Sequence, residues 1–178
     1  MEWHNEPASW ERSGDRLVVE ADAETDFWRV TKHGFVADDG HFYHREVTGD
    51  FTATVEVAGE YDTLYDQAGL MVREDAETWL KCGVEYVDGV QQAGAVVTRG
   101  VSDWSKSPLD DEPDSLWIRV ERTGATVEVS RSRDGDDYTM IRQATLSDAE
   151  RLRVGPMAAA PQGAGFRSTF QGFTVDER

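Results

Sequence analysis

Three side chains of the segment Thr78–Val87 could act together on a ligand: Trp79, Lys81 and Glu85. Alternate side chains of a β-strand point to opposite faces, so these three would share one face with Gly83. An indole offers a large apolar surface and one N–H donor, while an ammonium and a carboxylate can bind hydroxyl groups. The set predicts a polar groove with an aromatic edge, suited to a sugar. The alternative is a salt bridge across an exposed sheet, which contributes little to stability.

Lysine is rare in this chain, which gives Lys81 more weight. It occurs only at positions 32, 81 and 106, whereas arginine is common. The lysine ammonium is compact, carries three donors and changes its pKa readily when it is buried. We therefore expect Lys81 to bind hydroxyl groups or a carboxylate, a role that the broad, planar guanidinium of arginine would fill poorly.

Short strand-like segments alternate with turn signals along the chain, which favours an all-β sandwich or barrel. Asp-Gly and Thr-Gly pairs between them supply the positive φ of tight hairpins. Only Ser147–Arg151 favours a short helical turn, and Gly100–Asp114 is predicted to be the longest irregular loop. The predicted strands are Arg16–Glu20, His41–Glu46, Phe51–Gly59, Ala68–Arg73, Thr78–Val87, Ala93–Arg99, Ser115–Arg122, Thr126–Arg131, Tyr138–Thr145, Arg151–Ala158 and Arg167–Val175.

The two-faced pattern recurs in other strands, whose apolar faces would meet as a sandwich core about 10 Å thick. Adjacent residues point to opposite faces, so Asp66 and Gln67 both reach the groove only if a β-bulge lies there. The alternative for Asp66 is a turn cap. By parity, the face that forms the groove is expected to hold Gln67, Trp79, Lys81, Glu85, Arg119 and Arg99.

The composition is strongly acidic: 35 Asp and Glu residues face 18 Lys and Arg residues, for a formal net charge of −17. Excess carboxylates, scarce lysine and little isoleucine favour a protein of a salt-rich cytoplasm; an acidic mesophilic protein is the alternative. No basic run or stripe is present, which argues against nucleic acid and against an anionic membrane surface as partners. A neutral small molecule fits this charge best.

Metal, disulfide and targeting signals are missing from the sequence. Cys82 is the only cysteine, so no disulfide framework or cysteine-based zinc site is expected. His41 and His44 would face opposite ways in a strand, and no Asp-rich turn has the calcium-loop pattern. We therefore expect no metal and no cofactor. The N-terminus lacks the regions of a signal peptide and no stretch approaches the ~20 apolar residues of a membrane helix, which predicts one cytoplasmic domain over residues 1–178.

Seven short motifs occur in an order that resembles one known family. They are Trp3-His4-Asn5-Glu6-Pro7, Thr25-Asp26-Phe27-Trp28, Gly49-Asp50-Phe51, Tyr65-Asp66-Gln67-Ala68-Gly69-Leu70, Trp79-Leu80-Lys81-Cys82-Gly83-Val84-Glu85, Val97-Thr98-Arg99 and Ser102-Asp103-Trp104-Ser105. The chain resembles the family called domain of unknown function 1349, also named after a regulator of enolase. The resemblance implies a concanavalin A-like jelly-roll sandwich of two antiparallel sheets with a concave groove. By position it also implies that Asp66, Gln67, Lys81, Glu85, Arg99, Ser102, Asp103 and Trp104 belong to the site.

Residue pattern and resemblance together define the candidate sets. Trp104, beside Asp103 in the expected loop, is the favoured stacking platform, and Trp79 and Trp28 are further candidates. The expected ligand-binding residues are Gln67, Trp79, Lys81, Glu85, Arg99, Ser102, Asp103, Trp104 and Arg119. The catalytic candidates are Glu85, Asp66, Asp103 and Lys81.

Three functions follow as hypotheses. The first is a lectin-like domain that binds a saccharide or a related small polar molecule. The second is a glycoside hydrolase or lyase in which Glu85 works with Asp66 or Asp103, since hydrolysis usually needs two carboxyl groups. Retaining glucanases of this fold carry their carboxylates on one strand in the pattern E-x-D-x-x-E. Glu60-Tyr61-Asp62 is similar to the start of this pattern, but Tyr65 occupies the place of the final Glu. The third is a regulatory domain of sugar metabolism with a protein partner.

Overall fold

Sixteen β-strands make up the computed structural model, which describes residues 1–178. In chain order they are β1 Glu2–His4, β2 Ser9–Ser13, β3 Arg16–Ala21, β4 Phe27–Arg29, β5 Val36–Asp38, β6 His41–Thr48, β7 Phe51–Gly59, β8 Gln67–Arg73, β9 Thr78–Val87, β10 Val90–Arg99, β11 Val101–Pro108, β12 Leu116–Thr123, β13 Thr126–Ser132, β14 Thr139–Thr145, β15 Arg151–Ala159 and β16 Phe166–Glu177. The structure contains no helix that is long and apolar enough to cross a membrane.

Two antiparallel sheets of seven strands each form a sandwich. The first sheet has the order β1-β6-β15-β8-β9-β10-β11, and the second has the order β14-β13-β12-β7-β16-β3-β2. A cluster of 31 buried apolar residues fills the space between them; Leu80, Cys82 and Val84 enter it from β9. The predicted all-β sandwich is confirmed, and alternation along β9 leaves Trp79, Lys81 and Glu85 on the outer face of the first sheet.

The predicted strands are present, but the sequence analysis missed others. β1, β2, β4 and β5 are short or largely exposed, so their alternation is too brief to recognise. The prediction of an irregular loop over Gly100–Asp114 is wrong for much of that range, because Val101–Pro108 is an edge strand paired with β10. Ser147–Arg151 forms no helical turn.

Residues 22–40, which we call the cover segment, fold over part of the outer face of the first sheet. The segment carries β4 and β5, which pair only with each other. Its Phe27 is fully buried in a second apolar cluster with Phe42, Met71, Trp79, Val96 and Met157. Gly40 makes room for this ring, since a Cβ there would lie 2.4 Å from Phe27. One half of the outer face is therefore a second core, and the other half stays open.

Two polar contacts fasten the cover segment to the sheet. The Arg73 guanidinium, 2% exposed, binds both carboxylate oxygens of Asp38 at 2.6 and 2.7 Å. The Ser102 hydroxyl accepts a hydrogen bond of 2.9 Å from the backbone N–H of Arg29. Both anchors come from strands of the first sheet and bind β4 and β5 of the cover segment. The segment is therefore held beside the open half of the face.

Candidate functional site

A pocket of about 360 Å³ lies where the cover segment borders the open half of the first sheet. Lys81 and Glu85 reach it from β9 and Trp104 from β11, while Asp26 and Trp28 reach it from the cover segment. A volume of this size is typical of small-molecule sites. The full lining is Glu24, Asp26, Trp28, His33, Phe35, Ala37, Tyr65, Lys81, Glu85, Trp104, Pro161 and Gln162.

A row of glycines crosses the sheet between the Lys81 and Glu85 positions. Gly83 of β9 pairs with Gly69 of β8 on one side and with Gly94 of β10 on the other. A Cβ at Gly83 would lie 2.2 Å from the carbonyl oxygen of Ala68, and the φ of Gly83 is +156°, a value that L side chains rarely adopt. The row therefore permits close backbone packing and leaves a channel without side chains between the cation and the carboxylate.

The Lys81 ammonium makes an ion pair with Asp26 across the edge of the pocket. Lys81 is 5% exposed, and its Nζ lies 3.1 Å from Asp26 Oδ1. The same oxygen accepts hydrogen bonds from Gln67 Nε2 at 3.3 Å and from the backbone N–H of Phe27 at 2.7 Å. Three donors on one carboxylate oxygen fix Asp26 in place.

Glu85 lies in a different environment. Burial raises the pKa of its carboxyl group to about 6; the Lys81 charge opposes this shift, and the Asp26 charge adds to it. The Trp104 indole and the Lys106 ammonium are near enough to lower this pKa slightly. The indole Nε1 of Trp104 is nevertheless buried without a well-aligned acceptor. The Glu85 carboxyl group lines the pocket, and the buried Trp104 N–H is its nearest hydrogen-bond donor.

Aromatic rings line two walls of the pocket. On the cover segment, Trp28 packs edge-on against His33 with ring centroids 5.9 Å apart, and His33 packs against Phe35 at 6.0 Å. On the opposite wall, Tyr65 and Trp104 are 6.4 Å apart and steeply inclined, at 77°. The walls can contact the apolar faces of a ligand while the base supplies charge and hydrogen bonds.

The structure brings five of the sequence-predicted residues together: Trp28, Gln67, Lys81, Glu85 and Trp104. Trp79 shares their face but is 1% exposed beneath the cover segment, so the expectation that it is a stacking platform is corrected. Its indole N–H donates to the carbonyl of Ala76 at 3.3 Å.

Asp66 and Ser102 make contacts that stabilise the fold, and neither residue lines the pocket. Asp66 is 1% exposed, and its carboxylate accepts a hydrogen bond of 2.9 Å from the backbone N–H of Thr63. It caps the turn before β8, which was the alternative to a place in the groove. The Ser102 hydroxyl shares a 2.8 Å hydrogen bond with Thr98 and anchors Arg29, so it supports the cover segment and does not line the pocket.

Arg99 and Asp103 do not reach the pocket. Arg99 ends β10 with the parity of the core-facing Val97, and it is exposed at the hairpin. Asp103 precedes Trp104 in a strand and so points to the opposite face. Its carboxylate, 72% exposed, pairs with Arg142 of β14 at 3.1 Å. Because β11 is a regular strand, alternation fixes the direction of the Asp103 side chain; an irregular loop would not have fixed it.

Arg119 lies in the second sheet, so the expectation that it shares a face with Lys81 is corrected. β12 pairs with β7 and β13, neither of which belongs to the first sheet. The Arg119 guanidinium stacks on the ring of Tyr138 at 3.9 Å and pairs with Glu121 at 3.2 Å. Parity within a strand does not determine which sheet contains that strand.

Asp26, Tyr65 and His33 are pocket residues that the sequence analysis did not select. Asp26 lies inside one of the seven motifs, but nothing in the sequence indicates that its segment folds over the groove. Tyr65 adopts a positive φ of 70° at the turn before β8, which brings its ring to the pocket. No group of three or more His, Cys, Asp or Glu residues is arranged to hold a metal ion.

Comparison with known proteins places this geometry in a family. The family model described as protein of unknown function (DUF1349) matches residues 3–178. Over 173 residues the chain is 38% identical to Regulation of enolase protein 1 of Saccharomyces cerevisiae, covering 97% of this chain and 87% of that protein. A crystal structure of a functionally unknown protein from Saccharomyces cerevisiae superposes with a TM-score of 0.96 at 37% identity, over 99% of this chain and 96% of that one.

A more distant likeness concerns the fold alone. The GH43 protein BlXynB (K247S mutant) of Bacillus licheniformis superposes with a TM-score of 0.78 at 17% identity. The match covers 97% of this chain but 36% of that one, so this chain corresponds to about a third of the larger protein. The expected fold and family are confirmed.

Proposed function

This chain belongs to the DUF1349 family, and we propose that it binds a saccharide or a related small polar molecule in the pocket between the cover segment and the first sheet. One observation carries the proposal: the Asp26–Lys81 ion pair and the open Glu85 carboxylate lie at the base of a pocket with aromatic walls. Charged groups held in place by a fold at the base of a concave site fix the orientation of a ligand.

The donors and acceptors at the base suit vicinal hydroxyl groups. Each hydroxyl both donates and accepts, so it can bridge the Glu85 carboxylate and the Lys81 ammonium. Sugar rings also present apolar C–H faces, which the Trp28 and Trp104 rings could cover. The cavity over Gly83 and Gly94 holds only about 20 Å³, so such a ring would lie in the adjoining pocket of about 360 Å³.

A thermal-shift screen tests the proposal. Mono- and oligosaccharides would be tested in molar salt, since the acidic composition favours a salt-rich cytoplasm as the place of action. We expect at least one sugar to raise the melting temperature of the native protein but not that of Trp104→Leu. Trp117→Leu, which removes an indole from the second sheet, is the matched control and should keep the shift. If no sugar stabilises the native protein, the proposal fails.

Hydrolysis or elimination is a second candidate, because the two pocket carboxyl groups differ in character. Glu85 has a raised pKa, about 6, as a general acid requires, while the Asp26 carboxylate is paired with the Lys81 ammonium. Asp26 replaces Asp66 and Asp103 as the expected partner, because those two lie outside the pocket. Release of reducing ends from a sugar that binds, lost in Glu85→Gln, would support turnover. Binding without product would contradict it.

A protein partner is the third candidate. The relative is named for regulation of enolase. The cover segment exposes the apolar residues Val30, Phe35 and Val36, which are 43%, 46% and 55% exposed. Exposed apolar groups that lie together are typical of protein contacts. Co-elution with purified enolase on size exclusion would support this function, and separate elution at micromolar concentrations would contradict it.

A further inference from the structure

The pocket lining carries more negative than positive charge. Glu24, Asp26 and Glu85 line it, and Lys81 is the single lysine or arginine among its residues. The ammonium of Lys81 lies 3.1 Å from Asp26 and is neutralised by that contact. No lining cation remains for an anionic ligand, so a carboxylate or phosphate entering the pocket would meet net repulsion.

The Asp26 and Glu85 carboxylates differ in how many hydrogen bonds they accept from the protein. One oxygen of Asp26 takes donors from Lys81, Gln67 and the backbone of Phe27. Glu85 receives no well-aligned side-chain or backbone donor, and the glycine row separates it from Lys81 along β9. A partly buried carboxylate whose one neighbouring donor, the Trp104 N–H, is poorly aligned is a strong acceptor for a charged donor from a ligand.

Two rings stand beside this acceptor. Tyr65 and Trp104 meet at 77° with centroids 6.4 Å apart, so their planes form a corner of the pocket that Glu85 also lines. A cation against a ring face is stabilised by the quadrupole of the ring, and sites that combine several rings with a carboxylate bind alkylammonium groups. The Trp104 ring already has one such neighbour, since Lys106 Nζ lies 5.6 Å from its centroid.

We propose that the ligand of this pocket carries a positively charged amine, as an amino sugar does, and that the ammonium binds Glu85 in the corner formed by Tyr65 and Trp104. The inference rests on the proposed function and names its ligand class. Lys106 is exposed at the rim and does not line the pocket, so solvent and salt screen its charge. The buried pair of Lys81 and Asp26 is neutral as a unit, and the charge of Glu24 is screened because that residue is exposed, which leaves Glu85 as the group that selects charge.

Calorimetric titration with matched ligands tests this selection. D-glucosamine, D-glucose and D-glucuronate share a sugar ring but differ in charge. Choline and 3,3-dimethyl-1-butanol share a shape but differ in charge. At about pH 7, where Glu85 is ionised and most of the amine is protonated, we expect each amine to bind roughly tenfold more tightly than its neutral partner. Glucuronate should bind most weakly.

Glu85→Gln is the decisive variant, because glutamine keeps the volume and hydrogen-bonding capacity of the side chain without its charge. It should abolish the preference for amines while neutral sugars still bind. Glu11→Gln, which removes an exposed charge on β2, should leave the preference intact. Equal affinity for charged and neutral partners, or a preference kept in Glu85→Gln, would overturn the inference and leave the proposed saccharide site standing. Failure of every ligand to bind would overturn both.

Discussion

Lys81 Nζ lies 3.1 Å from Asp26 Oδ1, and this contact joins the middle of the first sheet to the segment that covers it. The two residues are 55 positions apart in sequence, and their side chains are 6% and 18% exposed. The ion pair thus has two roles: it holds the cover segment against the pocket, and it neutralises the only cation of the pocket lining.

Lys81→Met should destabilise the fold, because it leaves Asp26 and Glu85 without their nearest buried cation. Removing one partner of a buried pair costs about 3–5 kcal/mol, and the partial exposure of Asp26 reduces the expected loss to about 1–3 kcal/mol. Urea unfolding at pH 7 measures it. Lys32→Met changes an exposed lysine of the cover segment and should have little effect; equal losses in both variants would show that the pair does not stabilise the structure.

Glu85 should make stability fall as the pH rises from about 4.5 to 6. Burial raises its pKa from 4.5 to about 6, so the folded state holds a proton in this range that the unfolded state has lost. The contribution of Glu85 to the free energy of unfolding is complete below pH 4.5 and disappears above pH 6, a difference of about 2 kcal/mol. The charged and titratable groups that face it are Lys81, Asp26 and Lys106, together with Glu24 and His33 of the pocket.

The difference between native protein and Glu85→Gln isolates this effect. Paired urea titrations across the range should show the native protein losing stability relative to the variant as the pH rises. A constant difference would mean that the Glu85 carboxyl titrates normally.

Asp38 should have the opposite pH dependence. Burial alone would raise its pKa, but hydrogen bonds and charge from His4 and Arg73 outweigh burial and lower it to about 2. Its contribution is present above pH 3.8 and is lost as the pH falls towards 2. Asp38→Asn should therefore destabilise the protein by about 2–3 kcal/mol at pH 7, since it also leaves the buried Arg73 unpaired.

The Asp38→Asn loss should shrink as the pH falls below 3.8. Asp103→Asn is the control, because its ion pair with Arg142 is largely exposed and should contribute under about 1 kcal/mol. A loss from Asp38→Asn that stays the same down to pH 2 would contradict the assignment.

Gly83→Ala should be among the most damaging single substitutions in the first sheet. The added Cβ would lie 2.2 Å from the Ala68 carbonyl oxygen, and the φ of +156° disfavours any side chain. We expect a loss of about 3 kcal/mol or more in the free energy of unfolding. Gly89→Ala, at a φ of +82° with nothing within 4 Å, should lose about 1 kcal/mol. Similar values would show that close packing at Gly83 is unimportant.

Features that depend on a single strand, such as which side chains share a face, were predictable from the local sequence pattern. Alternation placed Trp79, Lys81 and Glu85 on one face. The scarcity of lysine drew attention to Lys81 as a ligand-binding residue, which stays a prediction, but did not indicate its ion pair with Asp26. Contacts between distant segments were not predictable in this way. Trp79 is buried because the cover segment folds over it, and a short ribbon with little periodicity gave no sign of that position.

Errors in the candidate site have two further causes. Arg99 was assigned to the groove face and Asp103 was selected by motif, although strand parity turns both away from Trp104. Arg119 was selected by parity, although it lies in the other sheet, and the order of strands in a sandwich is set by long-range pairing. Asp26 shows the reverse case, in which a residue inside a motif had no visible role until tertiary structure brought it to Lys81.

The most direct test of the account is a crystal structure with the ligand that most stabilises the protein in the thermal-shift screen. The account predicts that the ligand lies between Trp28 and Trp104, within hydrogen-bond distance of Glu85, with the Lys81–Asp26 pair intact. A ligand bound elsewhere, such as on the outer face of the second sheet beside Arg119, would contradict it.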